Sequence, residues 1–145
     1  MKTLLVPMNL YLFRELVRAN RRAGIKTEPE FLKLKTWFTK GHSWGVMIDN
    51  KIAFVVGFSL ENYNGSNIAA TWMVPSPEFF KHKKTCFKAL LAFRKWAIKV
   101  FDIGKFRAHI RVGNIKARCL AEHLGFVPTG EVSYKNEIYS IVEVT

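Results

Sequence analysis

The 145-residue chain has little cysteine, few acids and no long apolar run. Two cysteines, Cys86 and Cys119, cannot build a disulfide scaffold or a cysteine-only zinc site. Both fall in helix-like segments among apolar neighbours and read as small buried thiols of a reducing compartment. No apolar stretch approaches the roughly 18 residues that cross a bilayer. The longest, Ile52 to Phe58, is strand-sized, which excludes a spanning helix. Lys2 before the apolar Thr3 to Phe13 has the look of a signal peptide. Pro7 and Asn9 interrupt that stretch, Arg14 and Glu15 follow it, and no small-x-small cleavage site appears. The expected location is therefore the cytoplasm, with no membrane partner. His42, His82, His109 and His123 lack the spacing of metal ligands, and no Ser-His-Asp set, P-loop or dinucleotide fingerprint is found. Repeats, low-complexity tracts and Pro/Gly/Ser linkers are missing too, so residues 1–145 are expected to form a single domain.

What is present is apolar, aromatic and basic. Apolar residues make up 49% of the chain, enough for a core. Twelve Phe, four Trp and four Tyr point to thick, flat packing layers. Lys and Arg number 23 against 11 Asp and Glu, a net charge of +12. Such a field favours anionic partners: phosphate-bearing cofactors, nucleic acid or acidic protein surfaces. Nearly all of it comes from residues 81–118, where Lys81, Lys83, Lys84, Lys88, Arg94, Lys95, Lys99, Lys105, Arg107, Arg111, Lys116 and Arg118 face the single acid Asp102.

Local patterns give the order of elements. Lys2 to Val6 reads as a strand ended by Pro7, and Asn9 caps a helix from Leu10 to about Ala23 that Gly24 stops. Leu10, Phe13, Leu16 and Val17 form its apolar stripe. Thr27, Pro29 and Glu30 start a second helix running to about Thr39. The period then changes. Trp44–Ile48, Lys51–Leu60 and Asn67–Val74 are strands, with tight turns at Asp49-Asn50 and Asn62–Ser66. One long helix is expected from Pro77 to Phe101, ended by Gly104. A strand Lys105–Val112, a helix from Gly113-Asn114 to Leu124 capped by Gly125, and a strand from Phe126 follow. Val132–Lys135 and Ile138–Val142 form a last hairpin around Asn136-Glu137. The long helix makes the strands on either side of it a parallel pair.

The stretch Asn114, Ala117, Leu120, Glu122, Gly125 and Phe126 matches, in register, the pattern Asn-x-x-Ala-x-x-Leu-Tyr-Glu-Lys-x-Gly-Phe of the GNAT superfamily of N-acetyltransferases. With the element order around it, nearly the whole chain resembles that superfamily. The resemblance implies an α/β (α+β) fold: a mixed, mostly antiparallel sheet, a splayed parallel strand pair and about four helices. It also implies acetyl-CoA as cofactor and transfer of an acetyl group to an amine acceptor. Two family landmarks differ. Thr85 and Phe87 stand where the phosphate loop carries glycines, and Ala121 stands where many members have a tyrosine that protonates the leaving thiolate. In this the chain resembles the small, divergent acetyltransferase-like proteins of T7-type bacteriophages, a likeness carried by Val112-Gly113-Asn114 and the helix after it.

The same resemblance assigns candidate roles. Met73 and Val74 would line the pantetheine arm, His82, Lys83, Lys84 and Thr85 would meet the phosphates, and Asn114 would cap its helix and touch the arm. Apart from that resemblance, Met73 reads equally as core packing and the wider basic stretch as a solvated face. For proton transfer Glu61, Tyr134 and Tyr139 are candidates, and each also reads as an exposed turn carboxylate or a packing ring. Two other functions stay open at this point. One is a catalytically inactive fold that binds a host or other partner protein. The other is nonspecific nucleic-acid binding, to which Arg14, Arg18, Arg21 and Arg22 would add.

Overall fold

The computed structural model describes residues 2–24 and 42–145. The helix expected over 27–39 lies outside these residues. The described elements are β1 (Thr3–Pro7), α1 (Leu10–Arg22), β2 (His42–Ile48), β3 (Lys51–Tyr63), β4 (Ser66–Pro75), α2 (Pro77–Lys81), α3 (Lys83–Phe101), β5 (Ile103–Arg111), α4 (Ile115–His123), β6 (Val127–Tyr134) and β7 (Glu137–Val144). The strands form one seven-stranded sheet in the order β1-β2-β3-β4-β5-β7-β6. β4 and β5 run parallel, and β1–β2, β2–β3, β5–β7 and β6–β7 run antiparallel. The expected mixed sheet with one parallel pair is therefore present, together with four helices among the described residues.

The chain divides into two compact units, Met1–Ser59 with Met73–Phe93, and Leu60–Trp72 with Arg94–Thr145. In the first, β3 is buried from Ile52 to Phe58 without alternation, as a central strand covered on both faces must be. Val46, Ile48, Phe54, Val55 and Phe58 join Leu12, Phe13 and Leu16 of α1 in its core. Asn9 caps α1 by accepting the Leu12 N–H at 2.9 Å. Leu10, expected on the buried stripe, is exposed. Leu12 is buried instead, and the stripe ends on the buried polar residue Asn20. Trp44, Phe58 and Phe93 pack ring against ring, with centroids 5.4–6.2 Å apart.

In the second unit the core is smaller: Ala69, Ala97, Ile103, Phe106, Ala121 and Val142. Asn67 donates to the Phe101 carbonyl at 2.9 Å, and Arg94 donates to that of Leu124. Asp102, at φ 52°, turns the chain out of α3. Gly104, expected as the helix stop, lies within β5. A β-carbon there would stand 3.0 Å from Ser66 Oγ, so its bareness serves the approach of β4. α4 begins on Asn114, whose Oδ1 accepts the Ala117 N–H at 3.2 Å. It ends as expected on Gly125, at φ 88°.

Other boundaries differ from the sequence reading. The expected helix 77–101 is two helices broken at His82 (φ −128°, ψ 47°). The β3–β4 turn narrows to Asn64-Gly65 and the last hairpin turn is Lys135-Asn136, all four at positive φ. Cys119, expected to be buried, is exposed, whereas Cys86 is fully buried.

Two predictions follow from this packing. Burial pushes the Cys86 thiol up to about 11, so it stays protonated at neutral pH. A disulfide-exchange reagent is expected to label Cys119 alone in the native protein and both cysteines after unfolding, counted by mass spectrometry. Ser76 is fully buried and donates to the Ile52 carbonyl while capping α2 through the Glu78 N–H at 3.1 Å. Ser76→Ala is expected to lower stability by about 1–3 kcal/mol in denaturant titration, since it strands a buried acceptor and removes a cap.

Candidate functional site

The site starts where β4 ends. The ladder between β4 and β5 runs from Asn67–Ile103 to Ala70–Arg107. β4 continues past that point to Pro75, and the remainder of β5, Ala108–Arg111, is matched with β7. Met73 and Val74, both half-buried, lie on the stretch of β4 beyond the last β5 partner.

From Pro75 the chain turns through Ser76 into α2 and reaches α3 after one residue, His82. The His82 N–H closes α2 onto the carbonyls of Glu78 and Phe79, at 3.2 Å each. Its own carbonyl takes the first back-bonded amide of α3, that of Cys86, at 2.9 Å. The amides of Lys83, Lys84 and Thr85 therefore have no acceptor within their own helix. The side chains of Lys83 and Lys84 are exposed beside them, and the first turn holds no acid. Cations at the positive end of a helix dipole are in the unfavourable place, and an anion bound there relieves both charges. This first turn suits a phosphate group without glycines. Thr85 is half-buried, and Phe87 sits one turn past the open amides.

Phe87 is half-buried and does not join the core. The buried seam of α3 is Cys86, Leu90, Phe93 and Ala97. His82, expected to meet a phosphate, is turned toward Glu78 instead, with Nε2 3.6 Å from its carboxylate. Glu78 also draws Lys81 to 3.2 Å and Lys51 to 4.0 Å. In this way one acid draws Lys81 of α2 and Lys51 at the start of β3, and among the described residues no carboxylate is paired with a cation of α3.

The other predicted residues lie in the second unit. Asn114 is half-buried at the start of α4, its oxygen committed to the cap. Tyr139 is half-buried on β7 opposite Arg111, at the end of β5 beyond the last β4 partner. Tyr134 is exposed, with Lys135 Nζ 5.3 Å over its ring. Glu61 is exposed near the β3–β4 turn, where Asn62 and Asn67 join side chains at 3.1 Å. That is the closed end of the parallel pair. The sequence reading missed Ser76 and Glu78, although Ser76-Pro77-Glu78 is a cap, a first-turn proline and a first-turn acid in a row. Among the described residues no group of His, Cys, Asp and Glu could hold a metal ion, and no helix is long and apolar enough to cross a membrane.

No protein-family model and no curated protein sequence matches the chain. Solved structures do. A chimera of the spermidine N-acetyltransferase from Vibrio cholerae superposes with a TM-score of 0.74 at 17% identity, over 99% of this chain and 95% of that one. An acetyltransferase of the GNAT family from Streptococcus pneumoniae gives 0.71 at 14% identity, over 99% and 98%. A putative ribosomal-protein-serine acetyltransferase from Vibrio cholerae gives 0.72 at 12% identity, over 99% and 94%. The chain has the fold of the GNAT acetyltransferases.

Proposed function

We propose that the protein is an acyl-CoA-dependent N-acetyltransferase whose phosphate loop uses a lysine pair in place of the usual glycines. The observation that carries this reading is the first turn of α3, where three amides without helix acceptors lie between two exposed lysines and no acid. The fold supports it, since solved structures of the same fold are acetyltransferases by name.

Bound at that turn, acetyl-CoA would supply the acyl thioester that an amine acceptor attacks. The chain's own residues then divide the work. The amides and side chains of Lys83 and Lys84, with the Thr85 amide, hold phosphate oxygens. His82, tethered to Glu78, sets the geometry of the turn rather than touching the anion. Met73 and Val74 offer the arm a half-buried strand. Asn114 keeps its Nδ2 for a carbonyl, because its Oδ1 is already in the cap. For proton transfer we favour Tyr139 over Tyr134 and Glu61. It is half-buried on β7 opposite Arg111, and a phenol hydroxyl can give or take a proton. This hydroxyl takes the place of the one that Ala121 lacks.

A second reading is a catalytically silent protein of this fold that binds a host or other partner protein. It is favoured by Ala121, which is buried and has no proton to give. Titration calorimetry with acetyl-CoA separates the two. Saturable binding is expected, weakened about tenfold or more by the pair of changes Lys83→Glu and Lys84→Glu, both at exposed positions. No binding at about 1 mM acetyl-CoA would overturn the acetyltransferase reading. Tyr139→Phe is expected to lower turnover on an accepted amine about a hundredfold with acetyl-CoA affinity unchanged.

A further inference from the structure

β6 is the outermost strand at its end of the sheet, and β7 is its one neighbour among the described residues. All eight of its residues are exposed. An edge of this kind offers unpaired backbone groups to another strand, and proteins usually blunt it. The first half of β6 is blunted: Pro128 has no N–H, and the ladder shifts between Pro128 and Gly130. The second half, Glu131 to Tyr134, has neither a proline nor a bulge.

The hairpin turn decides which groups face outward. Lys135 and Asn136 have φ of 50° and 64°, a two-residue primed turn, so Tyr134 and Glu137 close the hairpin as a hydrogen-bonded pair. Bonded and non-bonded pairs alternate along an antiparallel ladder. Val132–Tyr139 is then bonded, while Ser133–Ile138 and Glu131–Ser140 are not. Ser133 and Glu131 turn their N–H and C=O groups away from β7, toward the open edge.

We propose that this edge pairs with β6 of a second copy of the chain, antiparallel, about a two-fold axis at Ser133. In that register Ser133 meets its own counterpart and exchanges two N–H···O=C bonds with it. Glu131 comes opposite Lys135, and Val132 comes opposite Tyr134. These two side chains are 41% and 51% exposed and gain cover from each other. Opposite charges and a β-branched residue against an aromatic ring are both favourable cross-strand pairs. Neighbouring registers lose these matches. An axis at Glu131 sets that carboxylate against its own copy and brings in Pro128. An axis at Val132 sets Gly130 against Tyr134 and leaves neither charge facing its opposite. One register of this strand is thus self-complementary in backbone, charge and shape. The edge is short and each chain carries +12, so the dimer belongs to the weak, reversible class. Pairing at this edge is independent of acetyl transfer.

Sedimentation equilibrium of the full chain, up to about 1 mM, tests it. A concentration-dependent dimer is expected. Glu131→Lys alone and Lys135→Glu alone each put like charges at both contact points, and each should raise the dissociation constant about tenfold or more. An equimolar mixture of the two variants should recover dimer, because opposite charges then meet at both points. Both positions are exposed, and circular dichroism checks that the fold survives. A wild type that stays monomeric throughout overturns the proposal. So do single variants that dimerise like the wild type, or a mixture that associates no better than its components.

Discussion

The passage from β4 to α3 depends on one buried side chain, Ser76. Its N–H donates to the Ala53 carbonyl at 2.8 Å, its hydroxyl donates to that of Ile52, and the same hydroxyl receives the Glu78 amide. Asn20 reinforces the corner from α1 by donating to the Pro75 carbonyl at 3.0 Å. β3 thereby supplies acceptors to a residue outside the sheet, and the chain leaves β4 in a set direction. α2 is a single turn long, so the first turn of α3 inherits that direction almost directly. A phosphate site made of backbone amides needs such an anchor, because the amides cannot be repositioned one by one.

Charge is distributed with the same economy. The paired carboxylates among the described residues are Glu15 on Arg18, Glu78 on Lys51 and Lys81 with the His82 ring beside it, and Glu143 on Lys105 and Arg107. Glu143 is held below its usual range by a hydrogen bond with Thr129, then by Arg107 and Lys105, against the opposing pull of burial. Its support is therefore present at neutral pH and is lost as acid protonates it. Among the described residues no carboxylate is paired to Lys83, Lys84, Lys88, Lys95 or Lys99. Lys84, Lys88, Lys95 and Lys99 recur at helical spacing on α3, away from the seam of Cys86, Leu90, Phe93 and Ala97. Half of the net charge of +12 is thus carried by one helix, α3.

Much of the fold was legible because its signals are local. Asn9, Asp49-Asn50, Asn114 and Gly125 announce caps and turns that the structure contains, and Ile52–Phe58 announces a doubly covered strand. The errors have physical causes. Lys135 adopts left-handed backbone that its residue type does not advertise, and Gly104 is a stronger stop signal than the neighbouring Asp102, so Asn136-Glu137 and Gly104 attracted the assignments. His82 breaks a continuous helical pattern because Glu78 and Phe79 compete for its amide, a contest invisible in composition. Of the candidate residues, the places of Lys83 and Lys84 near a helix start and of Met73 and Val74 late in a strand were readable in the sequence, while their roles are what the resemblance implies. The register of β4 on β5 was not, since it depends on both strands' other neighbours. Nor was the tie of His82 to Glu78, which depends on where α2 ends.

The hairpin turns bear on how the molecule assembles. β2–β3, β3–β4 and β6–β7 each close over two residues, Asp49-Asn50, Asn64-Gly65 and Lys135-Asn136. Such pieces lose little chain entropy on closing and can form on their own within microseconds. The parallel pair is different. Ile103 meets Asn67 only after the intervening chain has laid down α2 and α3. The contact of highest sequence separation among these is therefore the parallel one, and it is the natural late step of folding. A chain still emerging from the ribosome would hold its β2–β3 and β3–β4 hairpins before β5 could pair with β4, and the β6–β7 hairpin would leave last.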